Sequence, residues 1–203
     1  VLGKRIAMAI AIVKEAARAL AAMPLLMLSP VFQLLGMTIF LVPWTIYVLY
    51  LASSGEMKVD TTTNVRYFEY DGNTKYAFWY MLFTYFWTSE FLVACGQLVL
   101  ALAIACWYFT RDKTKCGNGT VMWAARVLTF NHLGTAAFGS LIIAIILTIR
   151  AIIAYIQKKA KKSGNKLLQY IMCCLQCCMW CLEKCMRFLN KNAYIQTAIY
   201  GYS

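Results

Sequence analysis

The chain has 203 residues, of which 62% are hydrophobic and only 14% are charged, and 20 basic residues outnumber 8 acidic ones. A soluble domain carries about 25% charged residues, so the composition excludes an ordinary soluble enzyme or binding domain. No nucleic-acid-binding motif accompanies the net charge of +12, which we attribute to basic loops that face an anionic lipid leaflet. Nucleic acid is therefore not an expected partner.

The first predicted element, residues 1–24, is an amphipathic helix. Its apolar residues recur at spacings of three and four and share one helical face: Ile6, Ile10, Val13, Ala17 and Leu20. Basic residues flank that face, as is typical of a helix on the cytoplasmic membrane surface; a weak membrane span is the alternative. Pro24 and Pro30 then separate this helix from the first span, because the residue before a proline disfavours helix.

Residues 25–157 form the predicted transmembrane region, because three long segments hold at most one charge each. These segments lie between Arg18 and Glu56, between Lys75 and Arg111, and between Arg126 and Arg150. Each exceeds the ~20 apolar residues that cross a bilayer. Three spans are predicted, near residues 25–52, 78–109 and 133–156. The expected fold class is therefore all-α, a polytopic helical membrane protein.

The loops set the predicted orientation, because cytoplasmic loops carry an excess of lysine and arginine. Residues 53–77 hold four acidic and three basic residues, which predicts an outside loop. Residues 110–126 hold four basic residues and one acidic residue, which predicts an inside loop. Asn118 begins a glycosylation pattern, but on the inside of the membrane it should be unmodified.

Residues 158–203 are predicted to form a basic, cysteine-rich, membrane-proximal helix and the start of a further segment. A simple third crossing would place a run of lysines outside, against the charge rule: Lys158, Lys159, Lys161, Lys162 and Lys166. A re-entrant break near residues 131–134 and Gly139 would resolve the conflict, and the side of the membrane stays open. A kink is also expected near Pro43, which removes a helical hydrogen bond, and a helix break near residues 192–194.

Six of the nine cysteines lie within thirteen residues. Cys173, Cys177, Cys181 and Cys185 are spaced by four, with Cys174 and Cys178 beside them, so on a helix they form one stripe. Zinc ligation, disulfides, packing as small apolar side chains and S-acylation all remain open, although zinc sites favour turns with glycine and histidine. No metal site is predicted. S-acylation of thiols beside a membrane and a basic run is considered at Cys173, Cys174, Cys177 and Cys178.

Several blocks of sequence follow one another in a characteristic order. They are IVKEA at 12–16, EFLVAC at 90–95, YFTRDK at 108–113, HLGT at 132–135, WCLEKC at 180–185 and NKNAYI at 190–195. Together they resemble the choline transporter-like family of solute carriers across nearly the whole chain. Members of that family hold more spans than this chain, so it is similar to the central part of one.

The resemblance implies transport of choline, or a related amino alcohol, across a plasma or organelle membrane to supply phospholipid synthesis, without a cofactor. Choline is a quaternary ammonium ion without an N–H donor, so aromatic faces, each worth ~0.5–2 kcal/mol, and a carboxylate would hold it. Glu90 is the one charged residue of the second span, which makes it a functional candidate. The candidate substrate site comprises Trp44, Trp79, Tyr80, Trp87 and Glu90.

Other interpretations of these residues remain. Trp79 also fits an aromatic belt at the membrane surface, Trp87 also fits core packing, and Glu90 also fits a structural ion pair. His132, the only histidine, is either a proton relay or a helix residue bound to backbone. No paired carboxylates, activated nucleophile or phosphate loop points to an enzyme.

The expected partners are a choline-like cation and the lipid bilayer. The alternatives to a transporter are a channel and a non-transporting scaffold subunit of a larger assembly, which would add other membrane subunits to these partners. A buried acid beside aromatic faces favours the transporter.

Overall fold

The computed structural model describes residues 2–59, 66–164 and 166–201. Helices dominate these residues: α1 Leu2–Ala22, α2 Ser29–Ser53, α3 Gly72–Phe109, α4 Asn118–Val127, α5 Leu133–Lys162 and α6 Lys166–Tyr200. Two short antiparallel strands, β1 Glu56–Val59 and β2 Arg66–Glu69, form the one sheet of the described residues. The predicted all-α class is confirmed.

Three helical stretches are long and apolar enough to cross a membrane: Pro24–Ser53, Gly72–Phe109 and Asn118–Lys162. The three predicted spans lie within them, which confirms the polytopic membrane architecture. The second and third stretches begin earlier than predicted, because hydropathy marks only the apolar part of a helix that continues through polar residues.

A π-helical turn at Leu128–His132 connects α4 to α5, so the backbone stays helical from Asn118 to Lys162. The re-entrant break considered near residues 131–134 and Gly139 is therefore wrong, because one wide turn accommodates this segment without leaving the helix, and the side of the membrane on which residues 158–190 lie stays open.

The other two predicted irregularities also fall within continuous helices. Helix α2 continues through Pro43, and the kink expected there stays a prediction. Helix α6 continues through residues 192–194, so the break expected there is wrong. It ends at Tyr200, and the next residue, Gly201, has a φ of 72° that suits glycine and donates its N–H to the carbonyl of Thr197 at 2.9 Å.

The described residues form two compact units. Unit 1 comprises the residues up to Leu34, Phe91–Gly139 and those from Arg187 onward, whereas unit 2 comprises Leu35–Glu90 and Ser140–Met186. The core of unit 1 is made of small and apolar side chains, including Ala19, Met23, Leu98, Leu102, Ala103, Trp107 and Ala124. Residues 3–14 of α1 are exposed, and the predicted placement of α1 on the membrane surface stays a prediction.

In unit 2, α2 and α3 are joined by a β-hairpin in which Glu56 lies opposite Glu69 and Val59 opposite Arg66. The sequence predicted only an outside loop over residues 53–77, and residues 60–65 of that loop lie outside the described residues. Lys58 donates a hydrogen bond to the Glu69 carboxylate, which lowers the pKa of that carboxyl. Because a lowered pKa keeps Glu69 ionised, this pair supports the hairpin at neutral pH and is lost as acid protonates Glu69.

Tyr70 fastens the hairpin to both flanking helices. Its hydroxyl donates a hydrogen bond to the carbonyl of Ala52 at 3.1 Å, and its ring meets Phe78 edge-on with centroids 5.4 Å apart. A Cβ on Gly55 would approach the Tyr70 ring to 2.8 Å, so only a residue without a side chain fits beside this ring.

We expect Tyr70→Phe to destabilise the protein by about 1 kcal/mol, because it removes one hydrogen bond but keeps the ring. Thermal unfolding of the purified full-length protein would measure the loss. Tyr76→Phe is the matched control, because the Tyr76 side chain is exposed. Equal melting temperatures for the two variants would show that the Tyr70 hydroxyl contributes nothing.

Candidate functional site

An aromatic and acidic row follows one face of α3 in unit 2, at Tyr80, Phe83, Trp87 and Glu90. The rings of Phe83 and Trp87 have centroids 6.0 Å apart and are tilted by 33°. Glu90 follows Trp87 by three residues, which places their Cβ atoms about 5–6 Å apart on a helix. Trp87 is 38% exposed and Glu90 is half-buried. The spacing on α3 therefore places Trp87 and Glu90 on the same side of the helix.

Charge on this row comes from Glu90 alone. It is the only charged residue between Lys75 and Arg111. The neighbouring hydroxyls serve the helix itself, since Thr84 donates to the carbonyl of Tyr80 at 2.8 Å and Ser89 donates to that of Phe86 at 3.0 Å. The row can offer a cation two aromatic faces and one carboxylate.

Trp79 lies one turn before Phe83 and is half-buried. Its ring meets Tyr155 of α5 edge-on, with centroids 5.8 Å apart. This contact extends the row by one aromatic pair. Tyr80, at 68% exposure, is the most open member of the predicted site.

Trp44 of α2 packs on a different side of α3. Its indole N–H donates to the carbonyl of Met81 at 3.0 Å, and its ring lies 5.3 Å from that of Tyr85. At 100° per residue, Tyr85 lies about 160° around the helix from Trp87. The structure therefore does not bring Trp44 to Trp87 and Glu90, and its contacts are those of helix packing.

None of the five predicted site residues lines the two mainly apolar cavities described next, which lie in unit 1. A cavity of about 380 Å³ is walled by the start of α2, the middle of α3 and α4, with Gln33 and Cys95 among its lining residues. A second cavity of about 620 Å³ lies between α3 and α6, with Gln97 and Lys191 among its lining residues. Sequence reasoning missed both, because their mainly apolar walls come from segments far apart in the chain.

A buried ion pair joins α5 to α6 in unit 2. Arg150 donates a hydrogen bond to the carboxylate of Glu183, and the two side chains are 26% and 10% exposed. Arg150 Nε and the side-chain amide oxygen (Oε1) of Gln176 are buried without a hydrogen-bond partner among the described residues. Sequence analysis missed this pair, although Arg150, which stands within an apolar stretch, was an available signal.

A close crossing in unit 1 brings α6 against α5 at Gly139. The Asn190 amide donates to the carbonyl of Gly139 at 2.8 Å. A Cβ built on Gly139 would lie only 2.4 Å from the hydroxyl oxygen of Tyr194, which is buried. This residue therefore permits the helices to touch and does not break α5.

A family model described as a plasma-membrane choline transporter matches residues 1–203. The chain belongs to this choline transporter family. Choline transporter-like protein 2 of Dictyostelium discoideum is 38% identical over 201 residues, covering 98% of this chain and 32% of the relative. Choline transporter-like protein 1 of Caenorhabditis elegans is 40% identical over 222 residues, covering 98% of this chain and 29% of the relative. Choline transporter-like protein 1 of Rattus norvegicus is 35% identical over 203 residues, covering 98% of this chain and 30% of the relative.

These matches confirm the predicted resemblance and its extent. The chain spans about a third of the length of the curated relatives it matches. The family is one of membrane transporters rather than enzymes, and the three long apolar helices agree with a multi-pass membrane protein.

Proposed function

We propose that the full-length protein carries choline or a related amino alcohol across a membrane, and that Trp87 and Glu90 contact the cation. Membership of the choline transporter family supports the transport role. The finer assignment draws on the side-by-side placement of Phe83, Trp87 and Glu90 on α3.

The chemistry of a quaternary ammonium ion favours this row. Its methyl groups cover the charge, so the cation cannot donate hydrogen bonds and gains most from aromatic faces, about 0.5–2 kcal/mol each. A carboxylate within an apolar helix adds attraction that water screens only weakly. Phe83 and Trp87 supply the faces, and Glu90 supplies the charge.

The other predicted site residues receive different roles within the proposal. Trp79 and its partner Tyr155 continue the aromatic surface at one end of the row. Trp44 positions α2 against α3 through Met81 and Tyr85, so it acts on the site through packing.

The placement of the segments relative to the membrane belongs to the same proposal. Helix α1 lies on the cytoplasmic surface, the hairpin between α2 and α3 lies outside, and residues 110–126 lie inside. Within residues 53–77 acidic residues outnumber basic ones, and within residues 110–126 basic residues outnumber acidic ones. This distribution supports the orientation.

Radiolabelled choline uptake by the full-length protein tests the site. We expect Glu90→Gln, which keeps the shape of the side chain, to lower uptake efficiency by roughly tenfold, the equivalent of about 1.4 kcal/mol. Trp87→Leu should have an effect of similar size, whereas Trp87→Phe, which retains an aromatic face, should lose less.

Matched controls separate these effects from altered folding. Glu56→Gln removes an exposed acid of β1, and Trp123→Leu removes an exposed tryptophan of α4; both should leave uptake unchanged at equal surface expression. Unchanged uptake in Glu90→Gln would remove the role given to Glu90. A wild-type protein that inserts in the membrane but takes up no choline would support the scaffold alternative instead.

A further inference from the structure

The cysteine-rich part of α6 has two distinct sides in unit 2. The inner side carries Met172, Gln176, Met179 and Glu183, at spacings of four and three, and is held to α5 by the ion pair between Glu183 and Arg150. At 100° per residue Cys173 lies on the flank, about 90° from the inner side, and the other five cysteines fall on the opposite side. All six are free and exposed: Cys173, Cys174, Cys177, Cys178, Cys181 and Cys185.

A basic turn precedes these thiols. The exposed lysines that surround it are Lys158, Lys159, Lys161, Lys162 and Lys166. Lysine ammonium groups bind phosphate groups, which phospholipid headgroups carry. Along the helix axis Cys173 lies about 10 Å and Cys178 about 18 Å from Lys166, whereas Cys185 lies about 28 Å away. The four thiols at 173–178 are therefore the ones closest to the basic cluster.

Other fates of these cysteines fit the geometry less well. Within the described residues, no three histidine, cysteine or acidic side chains are grouped so that they could hold a metal ion. Helix neighbours three or four residues apart have Cβ atoms about 5–6 Å apart, too far for the ~3.5–4.5 Å of a disulfide.

We propose that Cys173, Cys174, Cys177 and Cys178 accept long-chain fatty acyl groups as thioesters, which anchor this side of α6 in the lipid surface. The cysteine sulfur attacks the carbonyl carbon of an acyl thioester donor, and a new carbon–sulfur bond forms. The carbon–sulfur bond of the donor breaks, and the donor leaves as a thiol that takes up the cysteine proton. No oxidation or reduction occurs, and a transferring enzyme supplies the base for a thiol that is not ionised.

The structure gives the acyl chains a place to lie. The exposed residues of α6 near these thiols are themselves apolar or aromatic, including Leu167, Tyr170 and Ile171. An acyl chain on each cysteine would extend this apolar surface into the bilayer while the lysines bind headgroups, the pairing of two weak anchors that gives stable attachment. This proposal does not depend on choline transport.

Thioester-specific mass tagging of the full-length protein from eukaryotic cells tests the proposal. Free thiols are blocked with a maleimide, thioesters are cleaved with hydroxylamine, and the released thiols are tagged with a polyethylene glycol maleimide. We expect a hydroxylamine-dependent ladder of up to four steps, which loses one step with each serine substitution at positions 173, 174, 177 and 178. The matched control Cys181→Ser/Cys185→Ser should keep the whole ladder.

Three results would overturn the proposal. They are a wild-type protein without any hydroxylamine-dependent step, a ladder that survives when all four cysteines are replaced, and tags that appear only after a disulfide reductant. The ladder of the wild-type protein tests acylation without any substitution. In the single variants, lost acylation removes one step, whereas misfolding would remove all steps together.

Discussion

Gly139→Ala should destabilise the protein by about 1–3 kcal/mol or more, the usual effect of forcing atoms into a packed interior. The new methyl group would lie 2.4 Å from the Tyr194 hydroxyl and 3.2 Å from the Asn190 amide nitrogen. Relief requires α6 to move away, which also weakens the hydrogen bond from Asn190 to the Gly139 carbonyl. A lowered melting temperature and aggregation in detergent would report the effect.

The same helix provides a matched control for this substitution. A Cβ on Gly134 would meet nothing within 4 Å, so Gly134→Ala should be neutral or stabilise α5 by about 0.5–1 kcal/mol through helix propensity. Tyr194→Phe removes the clashing oxygen and should restore part of the loss when combined with Gly139→Ala. Similar melting temperatures for the two alanine variants would contradict the close crossing.

Removal of one partner from the Arg150–Glu183 pair should cost about 3–5 kcal/mol, because the remaining charge stays buried without its counterion. Both Arg150→Met and Glu183→Gln are expected to melt well below the wild type. The double variant Arg150→Met/Glu183→Leu should recover much of the loss, since an apolar pair of similar size suits the same space. A double-mutant cycle on melting temperatures measures the coupling.

An exposed ion pair in the same protein serves as the comparison. In α1 the guanidinium nitrogen Nη1 of Arg18 lies 2.6 Å from the carboxylate oxygen Oε1 of Glu15, and the two side chains are 58% and 46% exposed. Glu15→Gln should change stability by less than about 1 kcal/mol, because water screens such pairs. If the effects of the two substitutions at Arg150 and Glu183 simply added, the pair would carry no coupling and our assignment would be wrong.

The spans were predictable because a run without charge is a local property of the sequence. The hairpin was not, because β1 and β2 have four residues each and mix charged with apolar side chains. The expected break near Gly139 failed for a different reason. Glycine within a helix suggests either a break or a close contact, and only the position of Tyr194, 55 residues later, distinguishes the two.

In the candidate site too, some residues could be placed from local sequence spacing and others only from the fold. Phe83, Trp87 and Glu90 lie on one helix, so the period of 3.6 residues suffices to place them together. Trp44 lies on another helix, and no local pattern fixes which side of α3 it meets. The Arg150–Glu183 pair joins residues 33 positions apart, which a single sequence without structure cannot pair.

The π-helical turn at Leu128–His132 bears on how this chain is aligned with its relatives. Such a turn holds one residue more than an α-helical path of the same length, so a helical wheel drawn straight from Asn118 to Lys162 is rotated by about 100° beyond the turn. A relative whose helix is regular here would need a one-residue gap within positions 128–132. Without that gap, every residue of α5 would be assigned to the wrong face.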